Sequence, residues 1–278
     1  MPLYSPDIPQ INQQAIQSSL STNWLGKTSV ILNEVSSTNS HALSLADAQA
    51  VHGTVIVAER QTAGRGRFNR DWFSPGGANL YASILLVPPQ GFTDLPWIPL
   101  IAGLALLEAI EKSCGLTPTL KWPNDVLMDG KKLGGILCEG TSKGGHSHRI
   151  VVGMGLNVHM AEHDFPADLR DRSTSLRIHT QDPIDRNLIL GNLLNALETW
   201  YTSLLAGPID SIRSAYESHC DSLGRQLQVH FVDGETFVGI GQSIGQDGAI
   251  HILPDHPSSS PVRVIYSADV THISISPG

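Results

Sequence analysis

The 278-residue sequence predicts an α+β protein: a large domain over residues 1–222, then a small β-barrel over residues 223–278. Three observations carry that expectation. Strand-like runs are interleaved with helical ones through about residue 222. From Leu223 the chain changes to short, closely spaced strands (RQLQVHF, ETFVGIGQS, GAIHIL, VRVIYSADVTHI), with Asp233-Gly234 and Asp247-Gly248 as turns. Hydrophobic residues make up 41% and charged residues 16%, a balance able to fill a sizeable core.

Taken in order, residues 8–20 read as a short helix and Ser29 to Val35 as a strand. Ser37 and Thr38 offer N-cap hydroxyls for a helix running to about Ala50 and ended by Gly53. Thr54 to Ala58 is β-rich. The stretch QTAGRGRFNRDWFSPGGAN holds four glycines, a proline and three arginines, so it reads as a loop. NLYASILL resumes a strand. Ile98 to Ser113 is apolar at helical spacing and stops near Gly115 and Pro118. Leu120 to Trp122 is a short strand. Met128-Asp129-Gly130-Lys131 carries the Asp-Gly signature of a tight hairpin. KLGGILCEG and RIVVGMGLNV pair across the polar connection TSKGGHSH, and 185–206 and 208–222 are helical.

Several function classes are disfavoured. No stretch approaches the roughly 20 apolar residues of a membrane helix, and the start MPLYSPDIPQ lacks the layout of a secretory signal. Cys114, Cys138 and Cys220 match neither a metal spacing nor an even disulfide framework, which suggests reduced thiols in a cytoplasmic protein. A net charge of −8 argues against a chain devoted to gripping nucleic acid. His159 and His163, four apart, would face one way on a helix, and His146 and His148 alternate in a turn. Surface or partly buried histidine is the simpler reading of both pairs, because no third ligand has motif spacing.

Four segments concentrate chemistry. In Gly64-Arg65-Gly66-Arg67-Phe68-Asn69-Arg70-Asp71-Trp72, three guanidinium groups match phosphate or carboxylate oxygens, and the glycines admit an anion close to the backbone. A solvated basic loop is the alternative; a dinucleotide fingerprint is not, because no helix follows. Lys121-Trp122-Pro123-Asn124-Asp125 gathers an ammonium, an amide and a carboxylate at one turn, suited to a metal or a substrate donor, or merely to capping backbone groups. Lys131-Lys132-Leu133-Gly134-Gly135 places two cations before a glycine pair, where a ligand or another backbone passes close, or where lysines guard a sheet edge. Val151-Val152-Gly153-Met154-Gly155-Leu156-Asn157 puts glycines inside a strand, where something must approach closely or core packing explains them, and Asn157 at its end with a free amide.

In this order and spacing the four resemble the biotin protein ligases, which carry a GRGRxGRxW loop, a KWPND turn, a KxxGI(L) strand and a GxGxN strand. Ser37-Thr38-Asn39 matches their upstream signature. The loop departs from the family at Asn69, where glycine is usual; asparagine tolerates left-handed backbone angles. The resemblance implies a mixed β-sheet with flanking helices, related to class II aminoacyl-tRNA synthetase catalytic domains, and an SH3-like C-terminal barrel. It implies formation of biotinyl-5'-AMP from biotin and ATP, with Mg²⁺ carried mainly by ATP, then transfer to a lysine of the biotin carboxyl carrier domain of acetyl-CoA carboxylase. By the same resemblance Lys132, Arg67 and Asp125 are catalytic. Ser37, Thr38, Gln61, Gly64, Arg65, Arg67, Lys132 and Gly135 bind biotin. Arg65, Arg67, Arg70, Trp72, Lys121, Asn124, Lys132 and Asn157 bind ATP, with Trp72 a flat surface for adenine and Gly135 leaving room for the ureido ring. Asp125 stays open between metal placement and orienting the acceptor amine. A lipoate ligase of the same fold and a non-catalytic biotin-binding regulator are the alternatives. Only 36 residues precede Ser37, which suits a short form without the DNA-binding domain of some members; a homodimer is left open.

Overall fold

A computed structural model of the chain describes residues 8–46, 51–142, 148–255 and 261–273. Two sheets organise it. The first has seven strands: β1 (Ser29–Val35), β2 (Val55–Gln61), β3 (Leu80–Leu86), β4 (Thr119–Lys121), β5 (Asp125–Met128), β6 (Lys131–Ser142) and β7 (His148–Leu156), in the order β1-β2-β3-β7-β6-β5-β4. β1 and β2 run parallel, joined by a crossover through α2 (Thr38–Ala46), while every other pairing is antiparallel. The sheet is therefore mixed.

The remaining helices are α1 (Gln13–Ser19), α3 (Trp97–Cys114), α4 (Ala167–Arg170), α5 (Leu176–His179), α6 (Arg186–Ala206) and α7 (Ile209–His219). α3 is apolar nearly all round because it lies between the sheet and α6, and twelve of its residues are buried. Gly115 ends it in a left-handed conformation (φ 64°), donating its N–H to Glu111 O, a common helix stop. Asp185 caps α6 by accepting from Asn187 N at 2.8 Å. Beside that cap, Arg186 forms a buried ion pair with Glu59 at 2.8 Å. Glu59 also accepts from Ile11 N, so one carboxylate ties α6, β2 and the N-terminal segment together. The first helix is shorter than 8–20: the Asn12 side chain accepts from Ala15 N at 2.8 Å and caps it there.

The second sheet has five antiparallel strands, β8 (Gln226–His230), β9 (Thr236–Ile244), β10 (Ile250–Pro254), β11 (Arg263–Ile265) and β12 (Asp269–His272), in the order β11-β10-β9-β8-β12. It packs against the first domain through a shared core: Trp97 Nε1 donates to Gln246 O and Trp122 Nε1 to Gly248 O. The α2 terminus expected at Ala50 and the β6–β7 connection with His146 lie outside the described residues. Among the described residues no helix is long and apolar enough to cross a membrane.

Candidate active site

The site forms where β6 and β7 present glycines to one face. Gly135 pairs with Gly155, and Leu137 with Gly153. A Cβ on Gly155 would lie 2.5 Å from Trp72 Nε1, and one on Gly153 would lie 2.1 Å from Asn39 Oδ1. The strand glycines thus exist because an indole and an amide from elsewhere rest on the backbone, which any side chain would prevent. Trp72 also covers Gly135, with Cζ3 3.3 Å from where its Cβ would be. The room expected over Gly135 is therefore filled by this ring. The indole Nε1 is buried without a hydrogen-bond partner among the described residues, so the floor of the site carries one unspent donor.

The charges stand at the edge of that floor. Lys121 and Asp125 are cross-strand partners in the β4–β5 hairpin, with Nζ 3.8 Å from Oδ2; the Trp122–Pro123 peptide between them is cis. The Asp129-Gly130 turn, with both residues left-handed, then returns the chain as β6. A register shift between Val126 and Leu127 re-aims the first residues of β6. Lys132 Nζ consequently reaches Asp125 Oδ1 at 2.6 Å and lies 5.4 Å from the Trp72 ring centre. One carboxylate bridges two ammonium groups. Burial lowers the Lys121 pKa, and Lys132 lowers it further against the opposing pull of Asp125.

The arginine loop closes on itself: Gly66 N donates to Arg70 O at 2.7 Å and Trp72 N to Gly64 O at 2.9 Å. At its tip both Phe68 and Asn69 are left-handed (φ 56° each). Gly64 has no room for a Cβ, which would meet Ser74 Oγ at 2.5 Å and Trp72 O at 2.6 Å. A cleft of about 430 Å³ lies under the loop, lined by Arg65, Arg67, Arg70, Leu137 and Glu139. Arg65 pairs with Glu139 at 2.8 Å. Arg67 donates to Asn124 Oδ1 at 3.0 Å and also to Ser267 Oγ and Ala268 O, while Arg70 pairs with Asp269. Burial lowers the Arg67 pKa; the hydrogen bond to Asp269 raises that of Arg70.

A profile of the biotin/lipoate A/B protein ligase family matches residues 32–157. The bifunctional ligase/repressor BirA of Bacillus spizizenii is 31% identical over 261 residues, spanning 94% of this chain and 79% of that protein. The chain belongs to the biotin/lipoate A/B protein ligase family. The biotin–[acetyl-CoA-carboxylase] ligase of Mycobacterium tuberculosis is 32% identical over 255 residues, 87% of this chain and 88% of that one. Among solved structures, the biotin protein ligase from Aquifex aeolicus in complex with biotin and ATP matches with a TM-score of 0.76. It is 30% identical and covers 89% of this chain and 99% of that chain. The mixed sheet with its separate five-stranded C-terminal sheet is the fold of that family.

Within this family member, Ser37, Thr38 and Gln61 come together at the β1–α2 and β2 ends. Thr38 N and Oγ1 both donate to Gln61 Oε1, at 2.9 and 3.1 Å, and Gln61 Nε2 donates to Ser74 Oγ. Sequence reasoning left out Ser83, Glu139 and the side chain of Asn39. Ser83 Oγ lies 2.7 Å from Thr38 Oγ1 and 2.6 Å from Asn39 Oδ1, and Asn39 Nδ2 donates to Glu139 at 2.8 Å. A polar residue at the centre of an otherwise apolar strand, as Ser83 is in LYASILL, was the available signal. Two expectations are corrected. The Asn157 amide is not free: Nδ2 donates to Thr174 O at 3.0 Å, pinning the segment after β7 beside Lys132, whose carbonyl accepts from Thr174 N. His159 and His163 do not face one way on a helix; His159 is buried, whereas the His163 side chain is 84% exposed in a short 3-10 turn. No group of three potential metal-ligating side chains occurs among the described residues.

Proposed function

We propose that this chain is a biotin protein ligase. It forms biotinyl-5'-AMP from biotin and ATP and transfers the biotin to a lysine of a carboxyl carrier protein, as the names of its relatives suggest. The observation that carries the reading is the Lys121–Asp125–Lys132 cluster, set beside a glycine-floored face and under an arginine loop.

In the first step a biotin carboxylate oxygen bonds to the α-phosphorus of ATP, and the bond to the departing pyrophosphate breaks. Nucleophile and electrophile are both anionic, so positioning and positive charge supply the acceleration. By the family resemblance, Lys132 would lie between the carboxylate and the phosphate. Arg65, Arg67 and Arg70 add positive charge from above, Lys121 adds it from the side, Asn124 holds Arg67 by accepting from it, and Trp72 and Asn157 border the nucleotide. Ser37, Thr38, Gln61 and Gly64 hold the polar ring of biotin, with Thr38 and Gln61 exchanging their mutual hydrogen bonds for ligand ones. Mg²⁺ comes with the triphosphate, since Asp125 is engaged by two lysines and the described residues hold no group of three potential metal ligands. In the second step the neutral amine of the carrier lysine attacks the acyl carbon and AMP departs. We assign Asp125 to orienting that amine.

We assign catalysis to residues 1–222 and covering of the nucleotide to residues 223–278. Incubation with labelled biotin, ATP and a carrier domain tests the reading: label on the carrier lysine is expected, and label that appears with lipoate in place of biotin would overturn it.

A further inference from the structure

We propose that Asp269, the first residue of β12, is a positioning residue for ATP use: with Ser267 and Ala268 it holds the arginine loop over the cleft before the nucleotide arrives. The inference rests on the ATP-dependent reading above. Arg70 Nη2 is ion-paired with the Asp269 carboxylate. Arg67 reaches the same stretch of chain, donating to Ser267 Oγ at 3.0 Å and Ala268 O at 3.3 Å. These partners are 199 to 201 residues away in sequence, in the β11–β12 connection and at the start of β12.

The loop needs such a clasp. Phe68 and Asn69 both adopt left-handed backbone angles, which cost an L-residue roughly 1–2 kcal/mol each. The loop's internal backbone bonds join Gly66 to Arg70, Gly64 to Trp72 and, across the tip, Arg70 N to Arg67 O at 3.2 Å, and none of them holds a guanidinium group. The side chains of Arg67 and Arg70 are fixed by the 267–269 segment and by Asn124. A carboxylate beside a phosphate-binding cleft would ordinarily repel the ligand. Here Arg70 neutralises it, and the pairing is strong enough to outweigh burial and hold the Asp269 carboxyl below the usual carboxylate range. A guanidinium carries five N–H donors. With an Nη2 N–H given to Asp269, the separate Nε and Nη1 N–H groups of Arg70 remain for phosphate oxygens, and its side chain is 63% exposed.

The test compares the full-length wild type with Asp269→Asn and Asp269→Glu. Asp269→Asn should raise KM for ATP about tenfold, with a smaller change in kcat and little change in KM for biotin, equivalent to about 1.4 kcal/mol; Asp269→Glu should restore most of it. Trypsin, without ligands, should cut after Arg65, Arg67 or Arg70 several times faster in Asp269→Asn at unchanged Tm. Ser267→Ala, which leaves the charge in place, should show a weaker form of the same trypsin effect and serves if Asp269→Asn does not fold. A KM for ATP that falls, or stays level with unchanged trypsin sensitivity, would show that Asp269 competes with the nucleotide or is idle. The trypsin comparison needs no activity, so an inactive wild type would refute the ligase reading while leaving the clasp to be decided on its own.

Discussion

The two faces of β6 and β7 are built on opposite plans. Toward α3, Ile136 pairs with Met154 and Cys138 with Val152; the strands' own side chains fill the space, and burial pushes the Cys138 thiol up to about 12. Toward the cleft, Gly135 pairs with Gly155 and Leu137 with Gly153, and the space is taken by Trp72 and Asn39 arriving from other segments. A β-strand alternates its faces residue by residue, so one strand serves as core and as floor at once. The core face is stabilised by its own packing. The cleft face is covered by groups from other segments, and the charges of Lys121, Asp125 and Lys132 collect at its edge.

Substitutions on each face should separate these plans. Lys132→Ala removes the charge at the edge of the floor. Adenylate formation, read by biotin-dependent pyrophosphate release, should fall about 10²–10³-fold with Tm nearly unchanged. Ile136→Ala on the core face should do the reverse, costing about 2–5 kcal/mol in denaturant unfolding with KM values close to wild type. If Ile136→Ala damaged ligand affinity as much as stability, the division between faces would not hold. Gly155→Ala sharpens the contrast, because its methyl displaces Trp72. It should weaken nucleotide or biotin binding by roughly 1–3 kcal/mol in calorimetry while the sheet persists.

Most of the architecture was legible in local sequence. Ser29–Val35 is bounded as expected, the Asp129-Gly130 pair makes the predicted hairpin, and Asn69 is left-handed where the family has glycine. Strand glycines at 153 and 155 signalled a close approach, although not what approaches. What escaped was long-range. The Thr174 carbonyl that takes the Asn157 amide, the 267–269 stretch that takes Arg67 and Arg70, and the Glu59–Arg186 pair are set by tertiary packing, which no period or propensity encodes. Phe68 in a left-handed conformation runs against its own preference and could not have been read from its identity.

Smaller effects follow from the groups behind the floor. Burial lowers the pKa of His159 to about 4, with Arg186 and Arg177 adding to it, and burial does the same for His272, with Lys121 adding to it. Against an unfolded value of 6.5, the unfolded chain binds more protons between these limits. Stability is therefore complete above about pH 6.5 and declines as pH falls toward 4, by on the order of 2 kcal/mol per histidine near pH 5. Tm measured from pH 7.5 to 5 should show this decline, and His159→Gln should reduce it by about half; a Tm that rises on acidification would contradict the assignment. The least change is expected for Arg67→Gly. It should leave activation standing on Lys132 and Arg65 but release adenylate, so bystander albumin is labelled more than by wild type at equal pyrophosphate output. Equal labelling would show that Arg67 does not retain the intermediate.

The central claim is that biotin and ATP meet on the glycine-floored face beside Lys132. Biotin-dependent exchange of labelled pyrophosphate into ATP, with lipoate as the competing acid and Lys132→Ala alongside, tests it most directly. Exchange should require biotin, be absent with lipoate and collapse in Lys132→Ala. Exchange supported equally by lipoate, or persisting at the wild-type rate in a folded Lys132→Ala protein, would contradict it.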